Sequence, residues 1–120
     1  MSDLSDRVAA LLPLPPRDYL ILFALVDGGR HGHGILKALE AQAGSVMIDP
    51  ANLYRTLRKM DRDGLIVEEL RGSRRAESRR RVYSLTPLGR AALKAEAARM
   101  ALLTDSARGR KLVPSSSGIK

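Results

Sequence analysis

DPANLYRTLRKMDRDGLI, the segment Asp49–Ile66, carries the clearest local structural signals in the chain. Asp49 can accept hydrogen bonds from the free backbone N–H groups of a helix start, and Pro50 suits the first helical position because it has no N–H to leave unpaired. Gly64 is typical of a residue that ends a helix. The segment therefore predicts a helix over Pro50–Asp63.

This predicted helix has one apolar side and one basic side. Leu53, Leu57 and Met60 recur at helical spacing, which places them on one face. An ordinary amphipathic surface helix would show the same pattern, so the helix alone does not distinguish that interpretation from a helix that approaches a polyanion. The opposite face and its flanks carry small, polar and basic residues, namely Ala51, Asn52, Tyr54, Arg55, Arg58, Lys59 and Arg62.

Length and composition indicate one domain built mostly from helices. The 120 residues suffice for a single hydrophobic core, and with one Phe, three Tyr and no Trp that core must consist of aliphatic side chains. The absence of cysteine excludes disulfides and thiolate metal sites and fits a reducing cytosol. The most apolar segment, Tyr19–Val26, is far shorter than the roughly 20 residues of a membrane-spanning helix. With no secretory signal visible, we expect a soluble, cytoplasmic protein without a membrane partner.

The charge of the chain is strongly positive and unevenly distributed. A formal net charge of +8 and a pI near 10.6 favour an acidic partner, with nucleic acid as the first candidate. Six arginines and one glutamate lie within Arg71–Arg81, whereas acidic residues offset most of the positive charge in Asp49–Asp63. Most of the non-specific attraction for nucleic acid should therefore come from Arg71–Arg81.

Three helices are expected before the basic helix. The pattern of residues 1–16 predicts an N-terminal arm with a short helix that ends at the prolines. This arm could pack on its own domain or on a second subunit. Arg17–Val26 is apolar nearly all round, as in a buried helix, and Gly32–Ala43 has a single apolar face. Together with the basic helix that follows, Gly32–Ala43 has the layout of a helix-turn-helix.

Two short segments after Gly64 are rich in β-forming residues. Leu65–Arg71 and Arg80–Leu85 predict an antiparallel hairpin whose loop is Gly72–Arg79. Three helices followed by a hairpin form a winged helix. The predicted fold class is therefore mainly α with a small β hairpin, a winged helix-turn-helix domain over residues 17–85.

The last helix is long for so small a domain. Thr86 and Pro87 repeat the cap-and-proline start, and the helix should run over residues 86–108. Its apolar surface is wider than one domain needs, which suggests a contact between subunits. Residues 109–120 predict a disordered basic tail. The residues assigned to dimerisation are Leu88, Ala92, Leu93, Ala95, Met100, Leu102 and Leu103.

Three blocks of the chain resemble the PadR family of bacterial winged-helix transcriptional regulators: HGHGILKALE at 31–40, LYRTLRKMDRDGLI at 53–66 and VYSLTPLGRAAL at 82–93. The resemblance covers residues 17 to about 105. It implies a homodimer joined through C-terminal helices that binds a pseudo-palindromic operator, usually as a repressor, with the recognition helix over Pro50–Asp63 and the wing over Leu65–Leu85. Two departures are His33, where the family commonly has an aromatic residue, and a short C-terminal region.

On this interpretation the basic helix enters the major groove of double-stranded DNA. Its cations would contact phosphates or base edges, and the Tyr54 hydroxyl would donate to a phosphate. The wing would reach the minor groove, where arginine is attracted by an enhanced negative potential, although an arginine-rich loop can also be a solvated charge run. The wing residues assigned to DNA binding are Arg74, Arg75, Arg79, Arg80 and Arg81.

Catalysis and metal binding have no matching pattern in the sequence. His31 and His33 lack a third ligand at metal-site spacing, and no nucleophile–base pair, Gly-rich phosphate loop or paired-carboxylate motif is present. The sequence thus predicts a non-enzymatic, cofactor-free regulator whose partners are double-stranded DNA and a second copy of itself. Two alternatives stay open: a basic RNA- or ribosome-associated protein, and a repressor whose dimer interface senses a small apolar effector.

Overall fold

The computed structural model describes residues 3–43, 49–71 and 80–114. The predicted fold class is confirmed, because helices dominate and a β hairpin, part of a small antiparallel sheet, follows the third helix of the winged domain. Within these ranges, none of the helices could span a membrane. The elements in chain order are α1 (Asp3–Leu11), α2 (Pro16–Ala24), β1 (Arg30–His31), α3 (Gly32–Ala43), α4 (Pro50–Arg62), β2 (Ile66–Arg71), β3 (Arg80–Leu85) and α5 (Pro87–Gly109).

The ends of α4 are set by the residues that the sequence indicated. The Asp49 carboxylate accepts hydrogen bonds from the backbone N–H groups of Ala51 (2.9 Å) and Asn52 (3.3 Å). The helix ends one residue earlier than predicted, at Arg62, and Gly64 then adopts a φ of 83°, a left-handed conformation that a side chain disfavours. This turn directs the chain from α4 into β2.

The core lies where α2, α3 and α4 meet. Leu53 and Leu57 of α4 are fully buried, which confirms the predicted inner face of this helix. They pack with Ile21 of α2 and Ile35 of α3, whose side chains are also completely buried. Because its apolar stripe is buried in this core, the basic side of α4 faces outward.

The sheet has a third strand that the sequence analysis missed. Its order is β1-β3-β2, and both pairings are antiparallel. The short strand β1 lies beside β3, with Arg30 opposite Tyr83, and the Arg30 Nε–H donates to the Ala24 carbonyl at 2.6 Å. A strand of two residues is too short to show an alternating pattern, so the predicted two-stranded hairpin was incomplete.

The arm is anchored to its own chain. Val8 and Leu14 are buried in the core, and the Leu14 backbone N–H donates to Glu96 Oε1 of α5 at 3.3 Å. Glu96 is only 1% exposed and also accepts two hydrogen bonds from Arg99 (2.9 and 2.7 Å). The arm therefore contacts both the core and α5 of its own chain.

The first half of α5 belongs to the same core, which corrects part of the predicted dimerisation surface. Leu88 and Leu93 are 7% and 5% exposed, and Ala92 is fully buried. They pack with the other core residues. The Thr86 hydroxyl donates to the Gly64 carbonyl at 2.6 Å and so joins the start of α5 to the end of α4. These three side chains are therefore not free to contact a second subunit.

Candidate nucleic-acid interface

The outward side of α4 forms a basic surface, which we call the α4 face. Its residues come from successive turns of one helix whose other side is held in the core, so their positions are fixed by the fold. Asn52 is half-buried, and Tyr54 is 42% exposed. The remaining residues of this face are exposed, namely Ala51, Arg55, Arg58, Lys59 and Arg62.

A chain of hydrogen bonds joins three side chains at the start of the α4 face. Asp49 Oδ2 accepts from Asn52 Nδ2 at 2.9 Å, and Asn52 Oδ1 accepts from Arg55 Nη1 at 2.6 Å. Asp49 uses its other oxygen to cap the helix. Asp49 was expected only as a cap, and its connection to Arg55 through Asn52 was not predicted.

Tyr54 lies against the start of α3. A Cβ atom added at Gly32 would come within 2.5 Å of the Tyr54 ring, so the glycine is what permits this close approach. The contact fixes the tyrosine at the junction of the two helices of the helix-turn-helix. Its hydroxyl is part of the same contact, beside Gly32 at the start of α3.

The other cations of the α4 face differ in how they are held. Lys59 Nζ lies 3.0 Å from Asp63 Oδ2, an exposed pair that adds little to stability. Arg58 and Arg62 make no side-chain hydrogen bond to any residue in the described ranges. These two guanidinium groups are therefore free to reach an external anion.

Two arginines of the sheet are paired with glutamates of β2. Arg81 of β3 forms an ion pair with Glu68, and Arg71 lies 3.1 Å from Glu69. Tyr83 is buried beside Glu68, and burial first, then this carboxylate, raises the pKa of its hydroxyl. The glutamates had not been singled out as part of the interface, and they offset part of its positive charge.

Only part of the predicted wing can be located. Arg80 and Arg81 are exposed at the start of β3, on the strand that follows the loop. Arg74, Arg75 and Arg79 lie outside the described residues. Their assignment to DNA binding stays a prediction.

The predicted dimerisation residues separate into two groups. Leu88, Ala92 and Leu93 are in the core, whereas the others lie on the surface of α5. Ala95 and Met100 are half-buried, and Leu102 and Leu103 are 73% and 56% exposed. We call Leu102 and Leu103 the distal leucines.

The two histidines do not form part of a metal cluster in the described ranges. His31 lies in β1, and its Nδ1 is 3.3 Å from the Arg81 carbonyl oxygen. No group of three or more histidine, cysteine, aspartate or glutamate side chains in the described part of the chain could hold a metal ion. His31 thus contributes to the contact between β1 and β3.

A helix with a buried apolar side and an exposed basic side, preceded by a second helix and followed by a hairpin, defines a winged-helix protein. The chain belongs to the transcriptional regulator PadR-like family, whose family model matches residues 21–95. The resemblance seen in the sequence is therefore confirmed. The family is one of transcriptional regulators and not of enzymes, in agreement with the expectation from the sequence.

Two relatives of known sequence align with most of the chain. The transcriptional regulator Rv3488 of Mycobacterium tuberculosis is 39% identical over 74 residues, which are 61% of this chain and 64% of that protein. A 37.1 kDa protein of a Streptomyces fradiae transposon is 37% identical over 87 residues, or 71% of this chain and 23% of that protein. The chain thus spans less than two thirds of either relative.

Solved structures of similar fold include further PadR proteins. A PadR regulator from Clostridium difficile has a TM-score of 0.68 at 22% identity and covers 77% of this chain and 94% of its own. Bacillus subtilis PadR in complex with operator DNA has a TM-score of 0.61 at 23% identity. The match covers 69% of this chain and 46% of the Bacillus subtilis chain. At these identities the likeness shows the fold.

Proposed function

We propose that this protein regulates transcription by binding double-stranded DNA as a homodimer, and that it acts as a repressor on a pseudo-palindromic operator. The α4 face would lie in the major groove and the β2–β3 hairpin along the flanking DNA. The observation that carries this proposal is that Arg55, Arg58, Lys59 and Arg62 are all exposed on one helix whose apolar stripe is fully buried.

The dimensions and chemistry of α4 fit this role. Its 13 residues correspond to a helix about 20 Å long, and an α-helix fits the width of the major groove. The apolar side of α4 is buried in the core. The side that remains for a partner carries cations, one tyrosine hydroxyl and one amide. Such groups suit phosphates and base edges better than an apolar protein surface.

The fold comparison supports DNA as the partner. The Bacillus subtilis neighbour was solved as a complex with operator DNA. This chain shares that fold and places its basic helix directly before the hairpin, the order in which a winged helix presents its recognition helix and wing. A duplex, and not a single strand, is the partner that this arrangement favours.

Dimerisation is proposed through the distal part of α5. Beyond Glu96, the described residues of this helix are exposed or half-buried, and the distal leucines project from it without contacting the core. Burying one such leucine contributes about 1.5–3 kcal/mol. Two copies paired through this surface would bring two α4 faces to one duplex, as a palindromic site requires.

Regulation by a small apolar effector is a second candidate, and one cavity favours it. An open cavity of about 510 Å³ lies between the arm, α2 and α5, and it has Tyr19, Leu20 and Met100 on its walls. Its volume is in the range of small-molecule sites. An effector bound there would raise the melting temperature and change DNA affinity, so apolar ligands that do neither would contradict this role.

The test of DNA binding is a salt series with the whole protein. If each protomer neutralises about four phosphates, log affinity should fall against log salt concentration with a slope of about −7 for the dimer. Duplex DNA and duplex RNA of the same sequence are titrated in parallel. Tighter binding of RNA would favour the RNA-associated alternative, and a slope near zero on every DNA duplex would contradict the proposal.

A further inference from the structure

We propose that Arg55 is the residue of α4 that reads a base, that the base is guanine, and that Asp49 and Asn52 are positioning residues for its guanidinium group. This inference rests on the proposed function. It deepens that function by separating one specificity-determining arginine from the other cations of the α4 face. A chain of hydrogen bonds joins Asp49, Asn52 and Arg55.

The chain of hydrogen bonds has a defined direction. The Asp49 carboxylate can only accept, so the Asn52 side chain must turn its NH₂ group toward it, at 2.9 Å. The Asn52 carbonyl oxygen then points the other way and accepts from Arg55 Nη1 at 2.6 Å. Since Asp49 is itself fixed by the backbone N–H groups that it caps, the orientation of Arg55 is tied to the helix axis.

Arg55 differs in this respect from the other arginines of the α4 face. Arg58 and Arg62 have no side-chain hydrogen bond within the described residues, and Lys59 is directed toward Asp63 at the end of the helix. An unrestrained arginine can follow a phosphate, whereas a base edge demands one orientation. Holding the guanidinium in advance also reduces the conformational entropy lost on binding.

The geometry leaves Arg55 able to bind guanine. Its contact with Asn52 uses a single N–H of Nη1 and leaves the other N–H donors of the guanidinium free. Guanine presents O6 and N7 as two acceptors in the major groove, and arginine binds them in a bidentate manner. Arg55 lies in the N-terminal half of α4, the part of a recognition helix that contacts base edges.

The negative charge of Asp49, at one end of this hydrogen-bond chain, also favours a base contact at Arg55. Asp49 places a carboxylate one side chain away from Arg55, which offsets part of the attraction of the guanidinium for a phosphate. A neutral base edge is affected far less by that carboxylate than a phosphate is. The arrangement therefore favours a base contact at Arg55 and leaves phosphate contact to Arg58 and Arg62.

The experiment uses duplexes that the wild-type protein selects from a random-sequence library, with scrambled duplexes as the non-specific reference. Arg55→Ala and Asn52→Ala should each weaken the selected duplex about tenfold or more, and change the scrambled duplex by less than about twofold. Arg58→Ala is the matched control and should weaken both duplexes by a similar factor. Circular dichroism checks that each variant is folded, which is expected because these side chains are not part of the core.

A guanine analogue separates the positioning role from a general structural one. Replacing a guanine by 7-deazaguanine removes its N7 acceptor. At one position in each half of the site, this replacement should weaken the binding of the wild-type protein. The same replacement should leave the affinities of Arg55→Ala and Asn52→Ala unchanged. Loss of both duplexes in equal measure from Arg55→Ala would overturn the assignment and leave the proposed function intact. Unchanged guanine discrimination in Asn52→Ala would overturn the positioning role. Failure of the wild-type protein to select or bind any duplex would instead contradict the proposed function itself.

Discussion

The helices α4 and α5 begin in the same way and use their apolar surfaces differently. Each starts with a polar cap followed by proline, Asp49–Pro50 in α4 and Thr86–Pro87 in α5. The large aliphatic residues of α4, Leu53, Leu57 and Met60, all lie on one stripe that faces the core. Those of α5 are divided, because its first half is buried in the same core and its distal leucines are exposed.

This difference shows what helical periodicity can and cannot reveal. In α4 the spacing of the leucines identifies the buried side, and the polar remainder is then free to bind a partner. In α5 the spacing identifies which positions are apolar, but not whether the chain itself or a second copy covers them. That distinction depends on how far the core extends, and the core ends near Glu96.

The largest expected effect is on the free energy of unfolding. It tests whether the first half of α5 is buried in the core as the apolar stripe of α4 is. Leu57→Ala and Leu93→Ala should each lower the free energy of unfolding by about 3 kcal/mol, because both remove a buried side chain and leave a cavity. Urea denaturation measures the loss. The control Arg58→Ala, on the exposed side of α4, should change stability by less than about 0.5 kcal/mol. A Leu93→Ala variant as stable as this control would contradict the core assignment.

The next effect tests the distal half of α5. Replacing both distal leucines by aspartate should raise the dimer dissociation constant at least about 100-fold, because apolar contacts are lost and charges are buried. Sedimentation velocity over a concentration series measures it. Leu70→Asp is a matched control, since Leu70 is 55% exposed on β2 and Leu103 is 56% exposed. If both variants remain dimers, the proposed subunit contact lies elsewhere.

The smallest effect concerns the buried carboxylate at the boundary between the two halves of α5. Hydrogen bonds from Arg99, reinforced by the Leu14 N–H, lower the pKa of Glu96 below its usual 4.5 despite the opposing effect of burial. Its contribution to stability is therefore complete above pH 4.5 and is lost as pH falls through the lower pKa of the folded state. Glu96→Gln should cost about 1–2 kcal/mol at neutral pH.

A pH series provides the check on this carboxylate. The difference in unfolding free energy between the wild-type protein and Glu96→Gln should shrink as the solution is acidified below 4.5. Glu40→Gln, at an exposed position of α3, should show no comparable change. A Glu96→Gln difference that grows on acidification would show that the sign of the pKa shift is wrong.

Local signals in the sequence were sufficient for the helices, for the hairpin and for most of the α4 face. The cap at Asp49, the stripe of Leu53, Leu57 and Met60, and the glycine after the helix are all encoded within a single segment. The features that were missed depend on contacts between distant residues. The strand β1 is defined by its pairing with β3, and Glu96 accepts a hydrogen bond from Leu14, which lies 82 residues away in the sequence.

The most direct test of the central claim locates the α4 face on DNA. The chain has no cysteine, so Ala51→Cys creates a single attachment point for an iron–EDTA cleavage reagent at the exposed start of α4. The account predicts strand cleavage at two positions on a selected duplex, about one helical turn or a multiple of it apart. The same reagent on Ala98→Cys of α5 should cut weakly. Strong cleavage from Ala98→Cys with none from Ala51→Cys would contradict the account.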